Sequence, residues 1–140
     1  MRYINLAILT IGTPTLIWAG DNDADKAKLQ GTWVCVALVD KERAEPADVV
    51  GRLKLIIKDD TYTYSFEGKG KFSATFKLDS AKKPKWIDVD FKEGPAKGKS
   101  MPALFSLDGD ELKICGGDKR PTELKASKDA VFFTFKRESK

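Results

Sequence analysis

Histidine is missing from the 140-residue chain, which removes Ser-His-Asp and Cys-His catalytic arrangements and the His-containing zinc sites. Cysteine is scarce. Cys35 and Cys115 are the only two, too few for a four-thiolate metal site. No helix-period segment is long enough to cross between parallel strands, so a parallel sheet is excluded. Blocks of one charge sign are also missing: 25 basic and 21 acidic residues are interleaved along the chain. Without a Lys/Arg run to track phosphates, no nucleic-acid partner is expected. These absences leave no nucleophile–base constellation, no catalytic residue, no metal and no cofactor to name; the chain reads as a non-enzyme.

The first apolar stretch stands apart. Residues 1–19 hold one charged side chain, Arg2, then the runs Ile4–Leu9 and Ile11–Ala19, and charges resume at Asp21. That is the layout of a secretory signal peptide, and the run is short for a membrane span. Cleavage after Ala19 is expected, giving a periplasmic or secreted protein with no stable membrane insertion. It would leave 24 basic and 21 acidic residues, a net charge of +3. An oxidising compartment raises the question of a Cys35–Cys115 bridge. Cys35 has the inward parity of its strand. Cys115 alternates with Glu111 and Lys113, so it points outward or lies past the strand end. Opposite faces argue against a bridge and the compartment argues for one.

Residues 20–30 read as a polar lead with a short helical turn, capped by Asp23 or Asp25 and ended at Gly31. From there the period is two, and residues 31–138 form one β domain. Eight runs have strand character: Thr32–Val39, Arg52–Lys58, Thr61–Phe66, Lys71–Leu78, Trp86–Phe91, Ser100–Leu107, Glu111–Cys115 and Val131–Arg137. Turn chemistry separates them, with Asp108-Gly109 the strongest hairpin signal. Eight hairpin-linked strands close into an up-and-down barrel or fold over as a sandwich. Nearly every strand has one dry and one wet face, which fits the barrel. Tyr62, Tyr64 and Phe66 share a face, as do Phe72 and Phe76, Ile87 and Phe91, Met101 and Phe105, and Phe133 and Phe135.

Gly31-Thr32-Trp33 opens the first strand and Lys136-Arg137 closes the last. The pair resembles the lipocalin and calycin signature, in which a first-strand Trp packs under an Arg of the final strand at the closed end. A fuller resemblance rests on five segments in order: Leu29-Gln30-Gly31-Thr32-Trp33, Pro84-Lys85-Trp86-Ile87-Asp88, Gly94-Pro95-Ala96-Lys97-Gly98-Lys99, Leu107 to Cys115, and Arg120-Pro121-Thr122-Glu123. Together, over about residues 29–138, they are similar to an uncharacterised lipocalin-like small-barrel family expanded in planctomycete bacteria. Leu124 and Trp86 depart from its usual residues. The resemblance implies the architecture, with structural roles for Gly31, Trp33 and Arg137, and no catalytic residue.

Up-and-down topology gathers residues 40–51, 67–70, 92–99 and 116–130 at one end. These longer connections are expected to form the mouth, with 40–51 and 116–130 gating entry; the shorter set forms the floor. The candidate lining is Tyr62, Tyr64, Phe66, Phe76, Phe91, Phe105 and Phe133, with Arg120 at the mouth for a carboxylate or phosphate head group or paired locally with Glu123. Asp88 and Asp90 fall on an outward, solvated face. Asp108-Gly109-Asp110 lacks the later ligands of a calcium loop, and Gly68-Lys69-Gly70 lacks the helix of a phosphate loop. Two functions stand side by side: a barrel holding a small apolar or amphipathic molecule, and a filled barrel acting through its surface on a protein partner. An eight-stranded barrel is wide enough for either.

Overall fold

A computed structural model describes residues 22–67 and 70–138; the expected signal peptide lies outside the described residues. Two short helices, α1 (Asn22–Leu29) and α2 (Ala47–Val50), accompany nine strands: β1 (Gly31–Asp40), β2 (Arg43–Ala44), β3 (Leu53–Lys58), β4 (Thr61–Phe66), β5 (Gly70–Asp79), β6 (Lys85–Phe91), β7 (Ser100–Asp108), β8 (Glu111–Gly116) and β9 (Val131–Arg137). The eight long strands are those that the alternation predicts. From β3 onward each pairs antiparallel with the next, β1 pairs with β3, and β9 returns to β1. The sheet therefore closes as an eight-stranded up-and-down barrel, which removes the free edges an open sheet would leave.

Alternation sets the interior. Leu53, Leu55 and Ile57 of β3 face in, opposite Phe66, Tyr64 and Tyr62 of β4. Strand β1 breaks the pattern once. Its register against β9 shifts between Cys35 and Ala37, so Cys35 faces Phe135 and Leu38 faces Phe133. The extra residue lets both Cys35 and Leu38 turn inward, as a β-bulge does. Val36 is displaced outward and is 50% exposed.

Helix α1 closes one end. Trp33 is fully buried and its indole N–H donates to the Leu29 carbonyl at 2.9 Å. The Arg137 guanidinium lies 4.2 Å from the Trp33 ring and donates to the Gln30 and Lys28 carbonyls at 2.9 and 2.8 Å. One residue thus stacks on the first strand's indole and satisfies carbonyls at the helix C-terminus, which would otherwise lack partners. Gly31 has a φ of +129°, and a Cβ there would come within 3.2 Å of Arg137 Nη1; glycine permits both the turn and the close approach. On the opposite side of α1, Asp25 accepts from Ser80 Oγ at 2.6 Å and pairs with Lys85 at 2.7 Å. Asp25 and Asp23 lie inside the helix, not at its cap. The Gln30 amide and the Asp59 backbone exchange two further hydrogen bonds.

The other end is treated differently by its connections. The 40–52 segment carries β2 and α2, and Val50 of α2 is buried against the barrel core. The 92–99 turn bonds back to β5 through the Lys92 and Glu93 amides. The 117–130 connection corrects the sequence expectation of a gate: it runs as a strap against the outer wall. Arg120 reaches the Ala103 carbonyl of β7, and Cys115 of β8 donates to the Lys125 carbonyl of the strap.

Candidate functional site

The inward side chains fall into two levels. Toward α1, Trp33, Ile57, Tyr62, Phe76, Ile87, Phe105, Leu112 and Phe135 are buried; Leu78 and Leu107 at the lower rim are only partly so. Toward the opposite end, Leu38, Tyr64, Phe66, Phe91, Met101 and Val131 pack against the core from the inward side yet remain partly exposed. These inward-facing apolar groups, still reached by solvent, form the open end of the lining, which we call the bowl. Phe133 is stacked with Phe135 below it and with Tyr64 beside it, at centroid distances of 5.6 and 5.7 Å. It joins the bowl to the sealed level. Tyr64 lies between Phe133 and Phe91, both rings near-parallel to it.

Beneath the bowl two phenols meet. The Tyr62 and Tyr64 hydroxyls are 2.7 Å apart, their rings perpendicular with centroids at 5.0 Å. Residues i and i+2 on one strand share a face, so the pair follows directly from the Tyr62-Thr63-Tyr64 spacing. Burial pushes the Tyr62 phenol well above its ordinary value, and the neighbouring Tyr64 adds to the effect. Burial likewise raises Tyr64, with the hydrogen bond from Tyr62 pulling the other way. Cys35 acts electrostatically on both phenols, and its own thiol, pushed up by burial to about 11, donates to the Ala37 carbonyl at 3.3 Å. All three groups hold their protons at neutral pH.

Charge is confined to the rims. Among the described residues with inward parity, Lys85 and Arg137 stand at the lower rim, engaged by Asp25 and Asp110, and Asp40 stands at the upper rim. Between them the lining is uncharged. No three Cys, Asp or Glu side chains converge as a metal site among the described residues.

The structure divides the predicted site residues. Tyr64, Phe66, Phe91 and Phe133 are brought together in or just below the bowl, with Tyr62 under them. Phe76 and Phe105 lie in the sealed level. Arg120 is outside the barrel altogether. Its guanidinium lies 3.8 Å from the Trp86 ring, contacts Asp88 Oδ1 at 2.7 Å and donates to the Ala103 carbonyl at 2.9 Å. Glu123, expected as its partner, pairs with Lys125 instead. The buried Asp88 Oδ1 makes no well-aligned hydrogen bond and is held by the Arg120 charge. Lys82 lies over the same Trp86 ring at 4.7 Å. Cys115 lies under the strap on this outer face, while Cys35 lies inside the wall; both thiols are free and buried. Opposite faces of one wall keep them unbridged.

Sequence reasoning passed over Leu38 and Val50, and put Met101 on the inward face without counting it in the lining. Leu38 was hidden by the bulge. Val50 follows Pro46 in a four-residue helix too short to show a period, though an apolar pair between Pro46 and Gly51 is a usable signal. Gly116 is also part of the bowl's geometry: a Cβ there would stand 2.8 Å from Ala103 Cβ and 2.9 Å from Met101 Cγ. A second depression, of about 570 Å³, lies between Lys41 and the strap residues Lys119, Thr122, Lys128 and Asp129. It is open and of mixed charge.

Comparison of the chain with protein-family models, with curated proteins and with solved structures found no match.

Proposed function

We propose that this protein is an exported, non-catalytic binding barrel that takes a small, largely apolar molecule at its upper end. One observation carries the reading: the upper inward side chains are apolar and aromatic, face the axis, and are still reached by solvent. A side chain that served only the core would gain more by complete burial, about 25 cal/mol for each Å² of apolar surface. The lower level follows that rule except at its rim, where Leu78 and Leu107 are partly exposed; the upper level as a whole does not. Helix α2, with Val50 against the core, is the element placed to move when a ligand enters. The strap is fastened elsewhere by Arg120 and leaves entry to α2.

The binding reading also accords with the chemistry of the lining. Between the rims it offers stacking surfaces and protonated hydroxyl and thiol groups, and the described residues there include no carboxylate or histidine to act as a general base; the Cys35 thiol is held protonated. Native mass spectrometry of the protein purified gently from its own host compartment tests the proposal. A co-purifying small molecule, released on unfolding, is expected. A bare protein that also fails to bind a panel of apolar fluorescent probes would overturn it. A filled barrel acting on a protein partner would then take its place, and the open depression beside the strap is the surface to examine.

A further inference from the structure

Two phenol hydroxyls that meet at 2.7 Å share one hydrogen bond. Each carries one proton, so one proton is used between them and the other needs an acceptor of its own. Among the described residues none is paired with it. Position decides which hydroxyl can offer the spare proton to a ligand. Tyr62 is fully enclosed, between Tyr64 and Phe76, and has Tyr64 as its partner. Tyr64 is partly exposed and borders the bowl. Tyr62 therefore donates to Tyr64, and the Tyr64 proton is the one left for whatever occupies the space above. We infer that the bowl selects uncharged ligands carrying one acceptor oxygen, a carbonyl or ether set on a flat apolar body, and that Tyr64 Oη is the donor that reads that oxygen.

The inference rests on the binding reading and narrows it to a ligand class. The flat body follows from Tyr64, Phe91 and Phe133, whose near-parallel rings, with interplanar angles of 21° and 25° to Tyr64, offer faces for stacking. The lack of charge follows from the uncharged lining between the rims: a carboxylate there would lose its water and find no cation. An acceptor oxygen, in contrast, gains a buried hydrogen bond and relieves a donor that burial leaves unpaired.

Three probes of matched shape test it by calorimetry on the full protein. Acetylnaphthalene presents a carbonyl oxygen, isopropenylnaphthalene replaces that oxygen with a methylene, and naphthoate replaces the ketone with an anion. Acetylnaphthalene is expected to bind on the order of tenfold more tightly than isopropenylnaphthalene, the effect of one buried hydrogen bond, with naphthoate the weakest. In Tyr64→Phe the preference for the ketone is expected to vanish while isopropenylnaphthalene binding is kept, which also shows that the variant is folded. Tyr62→Phe should retain the preference. Equal binding of ketone and alkene by the native protein, naphthoate binding as tight as the ketone, or a preference that survives Tyr64→Phe would overturn the inference and leave the binding reading standing. Failure of all three probes to bind would overturn both.

Discussion

Cys35, Tyr62 and Tyr64 show how single side chains in this interior couple folding to pH. Each is protonated inside an apolar wall, and burial is the first cause of the upward shift in all three. For Cys35 the ordinary value is 9.0 and the folded value about 11. The unfolded chain therefore gives up this proton first as pH rises, and the native state holds it longer. Stability from the buried thiol is complete below pH 9.0 and is lost as pH climbs through about 11. The two phenols, raised above 10.0, extend the loss in the same direction. Urea midpoints are expected to fall from about the thiol's ordinary value upward. Cys35→Ala should lower stability by about 1 kcal/mol at neutral pH through lost packing, yet flatten the first part of the alkaline fall. An unchanged alkaline slope in that variant would assign the loss to the phenols alone.

The β1–β2 hairpin and the strap are the two elements whose local chemistry departs from what the sequence signals. Strand β1 turns into β2 through Lys41 and Glu42, at φ values of 52° and 70°. Two consecutive left-handed residues are the mark of a tight hairpin, and that turn normally takes Asn-Gly. Replacing Lys41-Glu42 with Asn-Gly is expected to stabilise the protein by about 1 kcal/mol, seen as a raised urea midpoint with an unchanged slope. The strap hangs on Arg120. Arg120→Ala removes its stacking on Trp86, its contact with Asp88 and its bond to the Ala103 carbonyl. Cys115 donates to the strap carbonyl of Lys125 and should become alkylated much faster in that variant, while Cys35 inside the wall stays protected. Equal protection of both thiols would show that the strap holds without Arg120. These elements also mark the limit of reading from sequence. The eight long strands were legible because alternation of apolar and polar residues is a local property, fixed by the pleat. So was the Tyr62 and Tyr64 pair, two residues apart on one strand. The bulge after Cys35 was not, because it inserts one residue without a glycine to announce it. The strap's course was not legible either: Arg120 is distant along the chain from Trp86 and Asp88, and only the folded wall brings it to them. A loop that joins two strands at the mouth end is free, on sequence grounds, to lie over the opening or down the outside.

Over the whole molecule, closure depends on joining the chain's first long strand to its last, and α1 is the element that holds this joint at the lower end. Arg137 of β9 binds the Gln30 and Lys28 carbonyls, stacks on Trp33 and pairs with Asp110 at 3.1 Å. Arg137→Lys keeps the charge but loses the fork that reaches two carbonyls at once. A loss of about 2–3 kcal/mol is expected, from hydrogen bonds of a charged donor, and is measured by urea unfolding. Asp25 fastens the other side of α1 to the β5–β6 connection through Ser80 and to β6 through Lys85. Burial works to raise its carboxyl, but the hydrogen bonds from Lys85 and Ser80 and the charges of Lys85 and Lys28 outweigh it, so the folded value lies below the ordinary 3.8. The sign is opposite to that of the thiol. The unfolded chain takes up this proton first as pH falls, so the stabilisation is present above pH 3.8 and is lost as pH drops through the folded value. Asp25→Asn should therefore lower stability near neutral pH, by about 1–2 kcal/mol for the lost charged hydrogen bonds, and should make stability less sensitive to pH in the acid limb. Because α1 seals the lower level and the proposed bowl lies at the other end, the variant is expected to bind apolar probes as the native protein does at any pH where both remain folded. Urea titrations across the acid range, paired with probe binding, check both halves; a steeper acid limb in Asp25→Asn, or probe binding lost while the barrel is intact, would show that the two ends of the barrel are not independent.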